Sequence, residues 1–414
     1  MKRVVVTGIG ALTPIGLGIP SYWESLIAGV SGAAPITYFD ASKAKTRFAC
    51  QLKDFDANSY FDRKELRKYD KFSQYGIIAS DEAIKDCGAN FDNLDKDKVG
   101  VIWASGIGGI QTFQQEVKDF VTGDGSFRFS PMFIPKMIAD ICAGHISMRH
   151  DLRGPNFATV SACASSANAI ADAALYIKTG KAKMMICGGS EAPIVEASVG
   201  GFSSMTALST RNDDPKTASR PFDKDRDGFV IGEGAGALVL EELEQALSRG
   251  AKIYAEIIGS GLTADAYHIT ATHPEGRGAM MAMKFALEEG GLKLDEVDHI
   301  NTHGTSTPIG DISEPKAIVS LFGEYANKIN LNSTKSMTGH LLGAAGAIEA
   351  IATILSIVHG IVPPTINHFT DDPDIPSLNY TFNKAQERQV NVALSNTFGF
   401  GGHNACIAFK KYKE

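Results

Sequence analysis

Residues 160–170, VSACASSANAI, place one cysteine, Cys163, among small residues where an extended segment gives way to a helix. The preceding GPNFATV is typical of a strand, because aromatic and β-branched residues follow a proline. The following segment predicts a helix with four apolar residues on one face: Ala169, Ile170, Ala173 and Ile177. Because a helix N-terminus favours a thiolate, the position predicts a nucleophilic cysteine with a lowered pKa. The alternative is a buried structural cysteine.

Three further segments place polar or aromatic side chains in Gly-rich turns at the ends of apolar runs. His303 lies in HINTHGTSTPIGD, Lys335 and His340 lie in STKSMTGHLLGAAG, and Phe398 and Phe400 lie in SNTFGFGGHN. A lone histidine is more often a satisfied polar residue than a catalyst, and a phenylalanine in such a loop more often packs. Because reactive groups collect on loops held by a rigid scaffold, the recurrence of this pattern predicts one shared site.

The elements that must position these groups are short apolar strands that alternate with helices. Buried strands are predicted in runs such as RVVVTGIG, VGVIWASG, KMMICGG and GALVLEE. This alternation favours an α/β fold with parallel or mixed sheets covered by helices. VVVTGIGALT resembles AEIIGSGLTA, and GEGAGALVLEE resembles GFGGHNACIAFKK, in the same order. We therefore expect two similar halves, residues 1–250 with the cysteine and residues 251–414 with the two histidines.

Composition and charge narrow the class of protein. The chain has 414 residues, a formal net charge of −7 and 44% hydrophobic residues, and this mild acidity argues against nucleic-acid binding. The N-terminus lacks the features of a signal peptide, and no run of about 18 apolar residues stands out, so no membrane insertion is expected. The six cysteines lack CxxC spacing. A reduced, cytoplasmic protein is the expectation.

Two Gly-rich segments resemble cofactor or metal loops without completing them. TGIGALTP has Thr13 where a dinucleotide-binding loop needs its third glycine. DKDRDGFVIGEG has Gly234 at the twelfth position, where a calcium loop needs a glutamate. The second segment is expected to be a structural turn, with its acids and Arg226 in ion pairs.

Several motifs together resemble those of the β-ketoacyl-[acyl-carrier-protein] synthases, and among these the elongating condensing enzymes of type II fatty acid synthesis. They are GPNFATVSACASSANAI, NTHGTSTPIGD, KSMTGHLLGAAG and NTFGFGG, with STRNDDP and RPFDKDRDGFVIGEGAG between them. The resemblance runs essentially from end to end of the chain. It implies a thiolase-like α/β fold with a duplicated five-layer αβαβα architecture, and a homodimer. No cofactor is implied, because the substrates carry phosphopantetheine on acyl carrier protein.

The resemblance also implies catalytic roles. Cys163 would take the acyl chain as a thioester, and malonyl-carrier protein would then lose CO2 and attack that thioester. His303 and His340 would stabilise the enolate oxygen, and Lys335 would orient His340. The N–H groups of Cys163 and Phe400 would form the oxyanion hole, with the Phe400 side chain as a gate against malonate.

Substrate and partner contacts follow from the same resemblance. Thr305 and Thr307 match positions that bind the phosphopantetheine arm, and Ile107 is placed at the far end of the acyl pocket, across the dimer interface. Phe398, Phe202 and His268 are the other expected substrate-binding residues. Docking of the acidic carrier protein is expected on four basic residues, namely Lys64, Arg67, Lys68 and Arg128. The first three would share one face of a helix.

A buried monovalent cation is a further possibility. Four residues match positions that hold such an ion, or a water, in some relatives: Asn301, Glu349, Ser395 and Asn396. A buried carboxylate needs a partner, and a salt bridge from Glu349 to a Lys or Arg not identified from the sequence would serve equally well.

Other functions remain open at this stage. A polyketide-type ketosynthase subunit and a noncatalytic partner subunit of a heterodimeric synthase share much of the pattern. A thiolase would need a second cysteine near the C-terminus, where Cys406 is the candidate, and a hydrolase would need a water path to the thioester. Thr206 and His403 depart from the residues usual in the family and leave carrier docking and chain length open.

Overall fold

The computed structural model describes residues 1–413. Fifteen strands are numbered in chain order: β1 (Val4–Thr13), β2 (Gly16–Leu17), β3 (Ala34–Pro35), β4 (Phe48–Ala49), β5 (Val99–Ala104), β6 (Asn156–Thr159), β7 (Met184–Glu191), β8 (Gly234–Glu242), β9 (Ala255–Ala264), β10 (His299–Asn301), β11 (Asn330–Asn332), β12 (Ile361–Val362), β13 (Gln386–Glu387), β14 (Val392–Gly399) and β15 (His403–Lys410). Thirteen α-helices connect them: α1 (Ile19–Ala28), α2 (Arg63–Leu66), α3 (Lys71–Asp86), α4 (Ile110–Thr122), α5 (Phe133–Met137), α6 (Ile141–His150), α7 (Ser165–Lys178), α8 (Glu196–Ser204), α9 (Leu243–Ser248), α10 (Arg277–Glu289), α11 (Gly310–Phe322), α12 (Lys335–Thr338) and α13 (Ala345–His359).

The main sheet has eleven strands: two five-stranded halves with the same topology, and the two-residue β2, which pairs with β1. The first half has the order β6-β5-β7-β8-β1, and the second has the order β11-β10-β14-β15-β9. Numbered within its own half, each order is 3-2-4-5-1. The halves join where residues 4–6 of β1 pair antiparallel with residues 255–257 of β9. The predicted duplication is therefore present in the structure, and the proposed division at residue 250 falls in the connection between β8 and β9.

Helices cover both faces of each half, which gives the expected five layers. Helices α3 and α6 lie on the outer face of the first half, and α10 and α11 lie on the outer side of the second. Between the halves, α7 and α13 pack against each other and against strands of both. Their small side chains allow this close packing: a Cβ at Gly346 of α13 would lie 2.8 Å from the N atom of Ala167 in α7.

Helix α13 is also the most apolar segment of the chain. The stretch Leu342–His359 is long and apolar enough to cross a membrane, with mean hydropathy 1.7, but 89% of it is buried inside the protein. The sequence was expected to contain no apolar run of this length, and that expectation was wrong, because Leu342–His359 is such a run by length and composition. Burial between the two halves of the sheet identifies this helix as part of the core.

Candidate active site

The turn before α7 presents Cys163. Ala162 has a φ of 51°, in the left-handed region that is unusual for a residue with a side chain. The Ser165 hydroxyl stabilises the turn, because its Oγ accepts a hydrogen bond from the N–H of Ser161 (2.9 Å) and donates one to the carbonyl of Ala162 (2.6 Å). Cys163 therefore stands just ahead of the first turn of α7, as the sequence predicted.

His340 reaches the cysteine from the turn before α13. Its main chain is fixed on both sides, since its N–H donates to the carbonyl of Val230 (2.7 Å) and its carbonyl accepts from the N–H of Gly232 (2.9 Å). Its Nε2 lies 3.0 Å from Sγ of Cys163. The ring of Phe229 packs edge-on against the imidazole, with centroids 5.3 Å apart. The histidine is thereby held as the hydrogen-bond partner of the sulfur.

His303 follows β10 and faces the same cavity. Its ring centroid is 5.3 Å from that of His340, with the two planes nearly perpendicular. The carboxylate of Glu314 fixes its backbone by accepting hydrogen bonds from the N–H groups of His303 (2.9 Å) and Gly304 (3.0 Å). Burial raises the pKa of Glu314 to about 7, although these hydrogen bonds oppose the shift.

Lys335 is fully buried at the start of α12 and forms an ion pair with Glu349 of α13. Among residues 1–413 its ammonium group donates a hydrogen bond to Glu349 and not to His340. The expectation that Lys335 orients His340 is therefore wrong as a direct contact. The positive charge of Lys335 nevertheless acts on His303 and His340 without a hydrogen bond. It lowers the pKa values of both histidines.

Electrostatics in the site favour neutral groups at rest. Burial, together with the Lys335 charge, holds the pKa values of His303 and His340 well below 6.5. Burial also raises the pKa of the Cys163 thiol to about 12, although Lys335 and the N–H of Phe400 act in the opposite direction. The expected lowered thiol pKa was therefore wrong, because the cost of burying a charge exceeds these contributions. Nε2 of His340, 3.0 Å from Sγ, lies within hydrogen-bond distance of the thiol.

The loop after β14 completes the surroundings of the sulfur. Phe398 is buried with its ring 5.7 Å from His303, and Phe400 lies 6.4 Å from Phe202, both between centroids. Gly399 permits this approach, because a Cβ there would lie 3.0 Å from the N atom of Cys163. The main-chain N–H of Phe400 points at the sulfur of Cys163 and favours its thiolate form.

A cavity of about 530 Å³ joins these groups. It is lined by most of the predicted catalytic and substrate-binding residues: Ile107, Cys163, Phe202, His303, Thr305, Thr307, His340, Phe398 and Phe400. The hydroxyls of Thr305 and Thr307 lie 3.0 Å apart and are hydrogen-bonded to each other. The cavity thus combines an apolar side with a polar side, which suits an acyl chain and its polar carrier arm.

His268 does not line this cavity, contrary to expectation. It is exposed, and its Nδ1 accepts hydrogen bonds from the N–H groups of Thr270 and Ala271, both 3.1 Å. Thr270 and Ala271 line the cavity in its place. The residue therefore shapes a loop of the cavity wall and does not itself face the space.

The predicted docking residues are exposed, but their helix is shorter than expected. Helix α2 ends at Leu66, and Arg67 and Lys68 lie in the turn that follows it. The neighbouring acids are engaged in local contacts. Asp62 caps α2, and Glu65 completes the capping box and pairs with Arg149 (3.1 Å). The prediction that Lys64, Arg67 and Lys68 share one face of a helix was therefore wrong, because the helix ends at Leu66.

The residues of the predicted cation site lie close in the sheet. Asn301 is paired with Ser395 across β10 and β14, and Asn396 follows directly. One buried oxygen on each of Asn301, Asn396 and Glu349 lacks a hydrogen-bond partner within the described chain. Glu349 also has the basic partner that the sequence left unidentified, namely Lys335.

The structure also shows site residues that the sequence reasoning missed. Glu314 supports His303, and Glu191 supports two turns of the cavity wall. Asp311 accepts hydrogen bonds from the N–H groups of Thr305 and Ser306. The acids in GDISEP gave a signal, because two carboxylates in a helix directly after a candidate site are unusual when the helix is buried. Glu191 gave none, because it ends an ordinary strand.

Two segments considered for other chemistry are structural. Arg226 donates to Asp372 (2.6 Å) and to the carbonyls of Thr307 and Pro308, so the calcium-like segment is a turn that supports the cavity wall. Cys406 is fully buried in β15 and does not line the cavity. The position of this second cysteine argues against a thiolase mechanism.

Known proteins are similar to this chain in sequence and in fold. Residues 1–246 match the family described as "Beta-ketoacyl synthase, N-terminal domain", and residues 254–369 match "Beta-ketoacyl synthase, C-terminal domain". A protein of Synechocystis sp. named "3-oxoacyl-[acyl-carrier-protein] synthase 2" is 51% identical over 412 residues, covering 100% of this chain and 99% of the relative.

Solved structures agree over the whole chain. A β-ketoacyl synthase from Burkholderia phymatum superimposes with a TM-score of 0.92 at 35% identity, covering 100% of both chains. The AntDE:AntF complex, a type II PKS acyl-carrier protein with its ketosynthase bound to the hexaketide, has a TM-score of 0.92 at 32% identity and the same coverage.

Proposed function

The chain belongs to the β-ketoacyl synthase family, and from this premise we propose that it elongates acyl chains by decarboxylative condensation with malonyl-acyl carrier protein. The observation that carries the proposal is the contact of 3.0 Å between Sγ of Cys163 and Nε2 of His340, with His303 facing the same cavity. Relatives named 3-oxoacyl-[acyl-carrier-protein] synthase 2 at 48–51% identity support the fatty-acid reaction over the polyketide alternative.

In the first half-reaction, Cys163 attacks the thioester of acyl-carrier protein. Its proton passes to Nε2 of His340 as the S–C bond forms. The negative charge that develops on the carbonyl oxygen is stabilised by the main-chain N–H groups of Cys163 and Phe400. When the tetrahedral intermediate collapses, the phosphopantetheine thiolate leaves and takes the proton from His340. The acyl group then remains on Cys163 as a thioester, and His340 is neutral again.

In the second half-reaction, malonyl-carrier protein occupies the polar side of the cavity. The bond between its carboxylate carbon and the methylene carbon breaks, CO2 leaves, and the electron pair forms an enolate. Ring N–H groups of His303 and His340 stabilise the enolate oxygen in a buried site, where such hydrogen bonds are strong. For His340 the neutral ring must carry its proton on Nε2 at this stage, so it changes tautomer after the first half-reaction, in which Nε2 accepts the thiol proton. The enolate carbon attacks the Cys163 thioester, the C–S bond breaks, and the resulting Cys163 thiolate takes up one proton from solvent, the proton that the overall decarboxylative reaction consumes. The product is β-ketoacyl-carrier protein.

Acyl carrier protein delivers both substrates, so no separate cofactor is needed. The carrier arm enters past Thr305 and Thr307, whose hydroxyls face the cavity. Carrier docking on Lys64, Arg67, Lys68 and Arg128 is supported by the exposure of all four side chains. A local positive patch attracts an acidic partner even though the net charge of the chain is −7.

Reversing Arg67 and Lys68 to Glu tests this docking surface. We expect the KM for acyl-carrier protein to rise about tenfold, because two attractive contacts become repulsive. Activity on an acyl-pantetheine thioester, which lacks the acidic protein, should be unchanged. The matched control reverses Lys181 and Lys183, which are exposed beyond the other end of α7. A similar rise in the control, or equal losses on both substrates, would refute the docking assignment.

A homodimer is supported by two surfaces of the chain. Strand β6 lies at the edge of the sheet and is paired only with β5, and Val160 beyond it is 61% exposed. Helix α4 and the segment after it expose several large apolar side chains: Phe113, Val117, Val121, Phe127, Phe129, Met132 and Ile134. Burial of such a surface against a second copy removes apolar area from water. Sedimentation velocity is expected to show the dimer mass, and a monomer would contradict this proposal.

The unpartnered oxygens of Asn301, Asn396 and Glu349 fit a monovalent cation, with Ser395 alongside. Such an ion would satisfy these three oxygens, because Lys335 pairs only with the other oxygen of Glu349. We expect the Tm to be higher in potassium or sodium chloride than in tetramethylammonium chloride at equal ionic strength, because only the small ions bind the folded state. Asn301→Ala should remove that difference. Equal Tm values for the unsubstituted protein in all three salts would exclude the site.

A further inference from the structure

Glu191 is a buried carboxylate without a basic partner. It ends β7, is fully buried, and forms no ion pair with any residue of the described chain. Burial raises its pKa, and its hydrogen bonds oppose the shift. A buried carboxylate is costly unless its oxygens are satisfied, so the contacts that satisfy it show what the residue holds in place.

Four donors surround this carboxylate, and they come from two different turns. From the turn after β5, the Ser105 hydroxyl (2.8 Å) and the N–H of Ile107 (3.1 Å) donate to Oε1, and the N–H of Gly106 (2.7 Å) donates to Oε2. From the turn after His340, the N–H of Gly343 donates to Oε2 (2.9 Å). Oε2 therefore bridges the two turns.

The two turns touch each other at this point. A Cβ on Gly343 would lie 2.2 Å from the N atom of Gly106 and 2.5 Å from Oε2 of Glu191, so only glycine fits. The Ser105 hydroxyl extends the network by accepting a hydrogen bond from the N–H of Gly108 (2.9 Å). The backbone on both sides of Ile107 is thus fixed to a single carboxylate.

Both turns form the wall of the catalytic cavity. Ile107 and Gly106 line it from the first turn, and Leu342 lines it from the second. Leu342 has a φ of 47°, a conformation that needs support from its surroundings. The geometry points to Glu191 as a positioning residue for the acyl chain. It fixes the Ile107 turn against the Leu342 turn, and it thereby limits the depth of the cavity and the length of chain that Cys163 accepts.

This inference rests on the proposed function, because it assumes that an acyl chain on Cys163 fills the cavity. The test is Glu191→Gln, which keeps the shape of the side chain but replaces one acceptor oxygen with a donor that faces N–H groups. Acylation of Cys163 is followed by intact mass with octanoyl- and palmitoyl-carrier protein. We expect the ratio of palmitoyl to octanoyl rates to rise about fivefold, the scale of one lost hydrogen bond.

Glu82→Gln is the matched control. Glu82 also accepts backbone N–H groups from two segments, Ala11 and Ile19, both at 2.8 Å, and does not line the cavity. It should lose stability without a change in the chain-length ratio. If Glu191→Gln does not fold, Ser105→Ala removes one donor of the same network and should raise the ratio in the same direction.

A double-substitution cycle separates positioning from general destabilisation. If Glu191 acts through Ile107, Glu191→Gln should have no further effect on the ratio once Ile107 is Ala, because the group that it positions has been removed. An unchanged or lowered ratio in both Glu191→Gln and Ser105→Ala would overturn the inference. So would a full effect of Glu191→Gln in the Ile107→Ala background. Absence of any acyl adduct on the unsubstituted protein would instead refute the proposed function.

Discussion

Replacing Cys163 with Ala should abolish acyl transfer and condensation, with a loss greater than about a thousandfold, because no other group can hold the acyl chain. Intact mass after incubation with acyl-carrier protein should show no adduct. Malonyl-carrier protein should still bind, because His303 and His340 keep their positions. Serine at this position should fail as well, because a hydroxyl is a much weaker nucleophile than a thiol when both start protonated.

Cys406→Ala is the control for the cysteine prediction. Cys406 is fully buried in β15, so its removal should affect stability without removing the adduct. The same pair of variants distinguishes the mechanism from that of a thiolase. If Cys163→Ala elongates acyl chains normally, Cys163 has no part in the reaction. If Cys406→Ala alone abolishes it, a two-cysteine mechanism would replace the one proposed above.

Replacing either histidine with Ala should separate the two half-reactions. We expect CO2 release from malonyl-carrier protein to fall by roughly a hundredfold in each variant, the usual effect of losing one donor to a developing oxyanion. His303→Ala should retain acylation of Cys163. His340→Ala should also slow acylation, because its Nε2, 3.0 Å from Sγ, is the proposed acceptor of the thiol proton. Release of radiolabelled CO2 and intact mass measure the two steps independently.

The pH dependence of cysteine alkylation tests the same assignment. Because the pKa of Cys163 is raised to about 12, alkylation by iodoacetamide should keep rising with pH beyond the ordinary thiol value of 9.0, with no plateau there. His340→Ala should lower the rate at neutral pH. His359→Ala, remote from the cavity and stacked on Trp23, is the control. For the CO2-release experiment described above, a different outcome is decisive. If both His303→Ala and His340→Ala release CO2 at the rate of the unsubstituted protein, the roles assigned to the two histidines are wrong.

The sequence predicted the fold and nine of the residues that line the cavity, including the cysteine and both histidines. Cys163, His303 and Phe400 each lie in a short motif, in which a reactive or aromatic residue stands in a Gly-rich turn. Such motifs can be recognised from the linear sequence without knowledge of the fold. The repeat of apolar runs in the same order likewise reflected the shared 3-2-4-5-1 topology of the two sheet halves. Local signals were sufficient for these features because the strand ends themselves position the residues.

Features that depend on pairs of distant residues could not be predicted in this way. The partner of Lys335 is Glu349, which is buried in the central helix layer, and no spacing rule identifies which cation a buried carboxylate meets. The pKa of Cys163 depends on how deeply the turn is buried, so the helix terminus alone gave the wrong direction. His268 was predicted to bind substrate but is exposed outside the cavity. The path of its loop depends on contacts with distant parts of the chain, which the local sequence does not reveal.

The division of the site between the two halves of the sheet has a consequence for biosynthesis. The proposed nucleophile, Cys163, belongs to the first repeat, whereas His303, Lys335, His340 and Phe400 belong to the second. Strand β1 cannot complete its pairing until β9 has been made. On the ribosome, domains fold from the N-terminus onward. A nascent chain that has exposed only its first repeat therefore carries Cys163 without His340, the proposed base, and without Phe400, a proposed oxyanion donor. Catalytic competence should appear only after synthesis of almost the whole polypeptide.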